Sequence, residues 1–265
     1  MSTNSGGSGH GHSYWKAWIE CPRKAYLNET LGVSMDATDV MDIGSGVHEL
    51  CHRAELGDSD LPVEYTQDPA KPMMEAARIY KQYRALCPPG YWGKPVCMEE
   101  VLTLPADSDL FKYFKHEVTI KPDAVREVDQ ATAERIAKEF KLVLRPGLYL
   151  QDYKTVAGIP SDTSGYYHSI QFKLYSLIWN HLRPEQKLSG TIVTFISRAK
   201  TVRVVPIVIP QVREIDRHIV TAFLWEASQR KDHAFEDADN GFPTSLNNTY
   251  CHTCHHFKSG ACERY

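Results

Sequence analysis

No run of about 18 apolar residues occurs in this chain, which excludes a membrane-spanning helix. Nor is there an excess of positive charge: 30 Lys and Arg stand against 33 Asp and Glu, a net charge of −3. That balance excludes a protein that coats nucleic acid with its whole surface, but it allows an enzyme with one basic groove. There is no Gly-x-x-x-x-Gly-Lys-Ser/Thr segment, so the chain is not itself an ATP-driven helicase, and any processive unwinding needs a partner. Residues 1–12 carry Gly and Ser but no apolar run, which reads as a flexible leader and not as a signal peptide or anchor. The cytoplasm of a bacterial, archaeal or phage-infected cell is the expected compartment.

What is present suits a globular domain. The 265 residues are 42% hydrophobic and 24% charged, enough for a full core, and residues 13–265 are expected to form one α/β domain. Helical spacing of Trp15, Trp18, Ile19 and Ala25 predicts a helix over 14–26, interrupted at Pro22, and a second over 47–55 beyond a break at Gly44–Gly46. A further helix is predicted over 72–86. Short strands follow at 101–104 and 117–128, the latter broken at Pro122, while 132–140 fits a helix or a hairpin excursion. Residues 148–153 read as a strong strand and 166–182 as the clearest amphipathic helix. Strands at 190–196 and 203–209 precede a long helix over 212–230. The sum is a central mixed sheet flanked by helices.

The chemistry concentrates on Asp152-Tyr153-Lys154, at the end of the apolar strand. A two-residue period puts Asp152 and Lys154 on one face. Hydrolysis of a phosphodiester calls for a hard cation, Mg²⁺ or Mn²⁺. Such an ion would be held by carboxylates such as Asp152 and Asp123, with the Tyr153 carbonyl as a further oxygen. A lysine beside it stabilises charge on the transition state. Gln171 and Tyr175, four apart on the next helix, share one side, and Gly46-Val47-His48 offers an imidazole. Glu117 has the parity of Asp123 if the strand is regular across Pro122.

The ordered series Cys21-Pro22-Arg23-Lys24, Gly46-Val47-His48, Asp123, Asp152-Tyr153-Lys154-Thr155 and Gln171-Phe172-Lys173-Leu174-Tyr175 resembles the RecB-like nucleases of the PD-(D/E)XK superfamily. That group includes CRISPR-adaptation nucleases, AddB nuclease domains and phage exonucleases, and the resemblance runs from Ser13 to the C-terminus. It implies a restriction-endonuclease-like core that hydrolyses DNA, as an exonuclease on single strands or ends, in recombination, repair or phage DNA processing. A helicase or recombination partner is in keeping with it. His48, Asp123 and Asp152 would hold the metal, Lys154 would be the catalytic lysine, and Gln171 and Tyr175 would contact DNA or brace the site. Two features depart from the pattern. Lys121-Pro122 stand where the family carries a glycine, and Asp123 lies 29 positions before Asp152. An insertion around 132–140 accounts for the distance, with Asp129 as the fallback ligand.

Three of the seven cysteines fall in the last fifteen residues, as Cys251-x-x-Cys254 and Cys262. Such a site needs a fourth ligand. The same resemblance supplies Cys21, and implies a structural 4Fe–4S cluster joining the two ends of the chain. The alternative is structural zinc, with His252, His255 and His256 at hand. Cys51, Cys87 and Cys97 are expected to be ordinary thiols.

Two other readings remain open. His48-Glu49-Leu50-Cys51-His52 matches the H-E-x-x-H signature of zinc peptidases, with Glu64 or Glu75 available as third ligand. A non-catalytic DNA-end-binding or adaptor subunit of a helicase or integrase would use the same fold. For DNA contact, Lys16, Arg23, Lys24 and Tyr26, with Tyr14 and Trp15, mix cations and aromatics, and Arg198, Lys200 and Arg203 form a second basic loop.

Overall fold

The computed structural model describes residues 10–31, 38–58, 60–67, 69–236 and 262. The elements run α1 (His12–Glu20), α2 (Pro22–Leu31), α3 (Asp39–Glu55), α4 (Lys71–Leu86), β1 (Lys94–Met98), β2 (Leu102–Leu104), β3 (Val118–Ile120), β4 (Ala124–Val128), α5 (Gln130–Phe140), β5 (Gly147–Val156), α6 (Ser164–Tyr167), α7 (Ile170–Leu182), β6 (Leu188–Ser197), β7 (Val204–Pro210) and α8 (Glu214–Glu236). The chain divides into two compact units. One joins residues 1–36, 102–120 and 213–265; the other joins 37–101 and 121–212. Among the described residues no helix is long and apolar enough to cross a membrane.

In the first unit α1, α2 and α8 pack together beside the hairpin β2–β3. Pro22 lacks the amide that would continue α1, so the chain breaks at Cys21 and restarts as α2. Trp15 and Trp18 are buried. Lys231 of α8 lies within 6 Å of the rings of Tyr14, Trp15, Trp18 and Phe235, and donates to the Tyr14 hydroxyl (2.5 Å) and to Glu29 (3.1 Å). A cation against aromatic faces with its charge met by a carboxylate is a stable way to bury a lysine.

The second unit is built on a five-stranded sheet in the order β1-β4-β5-β6-β7. Only β5 and β6 pair in parallel; the other three pairings are antiparallel. The sheet is therefore mixed, as the sequence predicts. Along β5 the side chains alternate. Tyr149 and Tyr153 join the core beneath α3 and α4, while Val156 packs with Phe172, Val193 and Phe195 on the α7 side.

Several boundaries differ from expectation. Helix α3 runs unbroken through Gly44 and Gly46, starting from Thr38, whose hydroxyl accepts from the Met41 amide. Gly46 serves packing instead: a Cβ there would stand 2.8 Å from the Tyr65 hydroxyl and 2.9 Å from the Ala76 Cβ. The helix expected over 166–182 is two helices, α6 and α7, and nothing in the structure explains the break between them. The strand expected over 117–128 is divided between β3 in one unit and β4 in the other. Residues 130–140 form a helix, the insertion that separates Asp123 from Asp152.

Candidate active site

The site lies where β4 and β5 part company. Ala124 is the last β4 residue paired to β5, opposite Gln151, so the Tyr153 amide has no strand partner on that side. Asp123, one residue before β4, fills the gap, its Oδ2 accepting from the Tyr153 amide at 2.8 Å. Because the N–H and C=O of one strand residue point the same way, the Tyr153 carbonyl faces that gap as well. His48 of α3 brings Nδ1 to 3.5 Å from the same Oδ2. Burial works against a charged His48, but the Asp123 carboxylate outweighs it and raises its pKa above the usual value. Burial likewise works against an ionised Asp123, and His48 with the Tyr153 amide overcomes it, holding the carboxyl below its usual range.

On the other face of β5, Asp152 is buried and Lys154 half-buried. The Lys154 ammonium donates to Asp152 Oδ1 at 3.0 Å and lies 2.7 Å from Oδ2. The second approach is an ion pair without hydrogen-bond direction, and Oδ2 is left as a buried acceptor with no donor. Burial pushes the Asp152 carboxyl up to about 6, with Lys154 opposing and Asp123 adding to the rise. The Lys154 ammonium also sits 5.6 Å from the Phe172 ring of α7. Tyr175 of α7 is buried beside this pair. Burial raises its pKa, and a hydrogen bond with Gln171, four residues earlier, partly offsets that.

The fold thus brings together His48, Asp123, Asp152, Tyr153, Lys154, Gln171 and Tyr175. Others are placed elsewhere. Asp129 caps α5, its Oδ1 accepting from the Thr132 amide at 2.8 Å, so its carboxylate serves the helix. Glu117 belongs to the first unit, where His10 approaches it at 3.9 Å. Its presumed parity with Asp123 fails because β3 ends at Ile120. Lys16, Arg23, Lys24 and Tyr26 also belong to the first unit. Lys16 pairs with Glu20 at 3.1 Å, Tyr26 meets the Phe235 ring edge-on, and Trp15 is core and not a stacking platform. Cys21 and Cys262, both half-buried, fall in that unit too, whereas Cys251 and Cys254 lie outside the described residues, as do His252, His255 and His256.

The H-E-x-x-H pair does not converge. His48 engages Asp123, while His52 Nδ1 faces Glu99 Oε1 at 3.6 Å. Glu49 accepts from the Tyr65 hydroxyl, and Glu75 is held by Arg78 at 2.6 Å. Glu99 itself was missed by sequence reasoning. It follows β1 with φ 47°, donates its amide to the Asp123 carbonyl at 3.2 Å, and pairs with Lys121 at 2.6 Å. No sequence signal marks it, because β1 is an edge strand with Pro95 and little alternation.

The residues present fit a hard divalent cation in kind: one imidazole, two carboxylates and a strand carbonyl. They do not yet converge. Among the described residues no three His, Cys, Asp or Glu side chains are grouped closely enough to hold an ion, since Lys154 engages Asp152 and His48 engages Asp123.

No family model matches the chain, and no curated protein does. The chain is similar in fold to the crystal structure of a presumed exonuclease from Eubacterium rectale. The TM-score is 0.57 and the identity 13%, with 97% of this chain and 89% of that one covered. The protein therefore shares the α/β fold of that structure.

Proposed function

We propose that the protein is a metal-dependent deoxyribonuclease of the RecB-like PD-(D/E)XK type, acting as an exonuclease on single-stranded DNA or DNA ends. The observation that carries this reading is the pairing of Asp123 and His48 across the strand end from Asp152 and Lys154, in a fold similar to that of a presumed exonuclease. Mg²⁺ or Mn²⁺, held by His48, Asp123, Asp152 and the Tyr153 carbonyl, would supply charge neutralisation at the scissile phosphate. The chain's own groups do the rest. Asp123 accepts from the Tyr153 amide, and so fixes the peptide that joins Asp152 to Tyr153. Lys154, freed from Asp152 as the site fills, is a fixed cation for charge developing on the phosphoryl oxygens. Gln171 and Tyr175 brace that face and meet the DNA.

Cys21, Cys251, Cys254 and Cys262 are assigned as ligands of a structural 4Fe–4S cluster, on the strength of the sequence pattern. Cys21 and Cys262 belonging to one unit is in keeping with this. The test is digestion of end-labelled single-stranded DNA with Mn²⁺, with EDTA, and with Asp152→Ala. Cleavage that needs the metal and is lost in a folded Asp152→Ala protein is the expected result. No cleavage by the folded, metal-loaded protein would overturn the enzyme and leave the end-binding subunit.

A further inference from the structure

No Asp or Glu lies between Glu185 and Glu214, and within that stretch Arg198, Lys200 and Arg203 fall on the connection from β6 to β7. This connection is held from inside. Arg78 of α4 donates Nη1 to the Lys200 carbonyl at 3.0 Å and Nη2 to those of Arg198 and Ala199 at 3.2 and 3.1 Å. Gln82 donates to the Lys200 carbonyl at 3.2 Å and accepts from the Val202 amide at 3.0 Å. Ser197 Oγ accepts from the Arg203 amide at 2.8 Å. Three successive carbonyls therefore turn toward α4, and their partial negative charge is met by a guanidinium that Glu75 holds in place. The Lys200 and Arg203 side chains are exposed, and neither forms an ion pair among the described residues.

The loop has a fixed place relative to the site. Arg198 donates its amide to the Val156 carbonyl at 2.7 Å, at the end of β5. Val156 is two residues beyond Lys154 on the same face of the strand, about 7 Å at the usual strand rise. A cationic loop with a rigid backbone at that distance from a phosphodiester-cleaving pair suits a polyanion whose charges repeat along a chain. An isolated anion would have no use for a row of cations.

We propose that the 198–203 loop is a docking element for the sugar-phosphate backbone of the DNA strand being cleaved, with Lys200 and Arg203 each meeting a phosphate other than the scissile one. This rests on the nuclease reading. The experiment measures binding of a labelled single-stranded oligonucleotide by fluorescence anisotropy, in EDTA and across a salt series. It compares the full-length protein with the double variant Lys200→Gln/Arg203→Gln, and with Lys187→Gln, an exposed lysine just before the opposite end of β6. Each phosphate contact to a single strand contributes about 0.7 to the slope of log affinity against log salt. The double variant should bind roughly tenfold more weakly at low salt and lose about 1.4 of that slope, while Lys187→Gln matches the wild type. A double variant with unchanged affinity and slope would overturn the proposal, as would a wild type that binds no oligonucleotide, or an equal loss in Lys187→Gln. Hydrolysis of bis(p-nitrophenyl) phosphate by the wild type with Mn²⁺ tests the chemistry separately. Loss of DNA binding in the double variant, without diester hydrolysis by the wild type, would uphold the loop and overturn the nuclease.

Discussion

Glu55, in the last turn of α3, is the residue whose loss should cost the second unit most. Its side chain is 2% exposed and lies between two guanidinium groups, Arg84 at 3.0 Å and Arg126 at 3.1 Å, which are 10% and 0% exposed. Arg126 also donates to the Gly93 carbonyl (3.0 Å), the Tyr153 hydroxyl (3.2 Å) and the Gln151 side chain, so α3 is tied to β4 and β5 beneath the site. Glu55→Gln keeps the shape but leaves two buried cations with no counter-charge. Breaking a buried pair in this way costs about 3–5 kcal/mol. Urea unfolding at neutral pH should show that loss, and hydrogen exchange of amides in β4 and β5 should locate it in this unit. Burial works against an ionised Glu55, but Arg126, Arg84 and the Gly90 amide overcome it and hold its pKa below the usual value. A lowered folded pKa means the stabilisation is complete above the unfolded value of about 4.3 and fades as pH falls below it. The gap between wild type and Glu55→Gln should therefore be flat at neutral pH and narrow only in acid. A cost under about 1 kcal/mol, or a gap that widens in acid, would refute this account.

Other outcomes follow from the same geometry. Gly46→Ala pushes a methyl group into Tyr65 and Ala76 and should destabilise the protein by about 1–3 kcal/mol, read as a lower urea midpoint. Lys154→Met should keep the fold by circular dichroism and lower DNA cleavage by about 10²–10³, with rescue by arginine only partial. On the proposed 4Fe–4S assignment, Cys254→Ser should carry less iron than the wild type and show less visible absorbance. Full retention of iron would move the assignment toward a site without Cys254.

The strand 148–153 and its Asp-x-Lys ending were legible because a buried strand writes an apolar run, and a charge at its end breaks that run visibly. The partner aspartate was legible only by order along the chain, since α5 stands between it and Asp152 and no local pattern bridges such an insertion. Glycine was misleading in α3: Gly44 and Gly46 resemble a break, yet the packing against Tyr65 and Ala76 that demands Gly46 is a tertiary fact. Strand β1 and Glu99 were not legible at all, because an edge strand alternates weakly. Arg126 gave no sign of being buried, as its four partners come from three separate segments: α3, the turn before β1, and β5.

The discontinuity of the first unit bears on how the protein is made. Two of its three segments bracket the second unit in sequence and the third, 102–120, interrupts it, so the second unit is complete once residue 212 has been synthesised, while the first still lacks residues 213–265. Within the second unit the parallel pairing of β5 with β6 must wait for α6 and α7, which makes it a slow, non-local step. During translation, then, the strand that bears Asp152 and Lys154 acquires its last neighbours late, and α8 can anchor α1 and α2 only after residue 236 has been made. A chain arrested between 212 and 236 would present β5 already paired on both sides while Trp15 and Trp18 still lacked the helix that covers them.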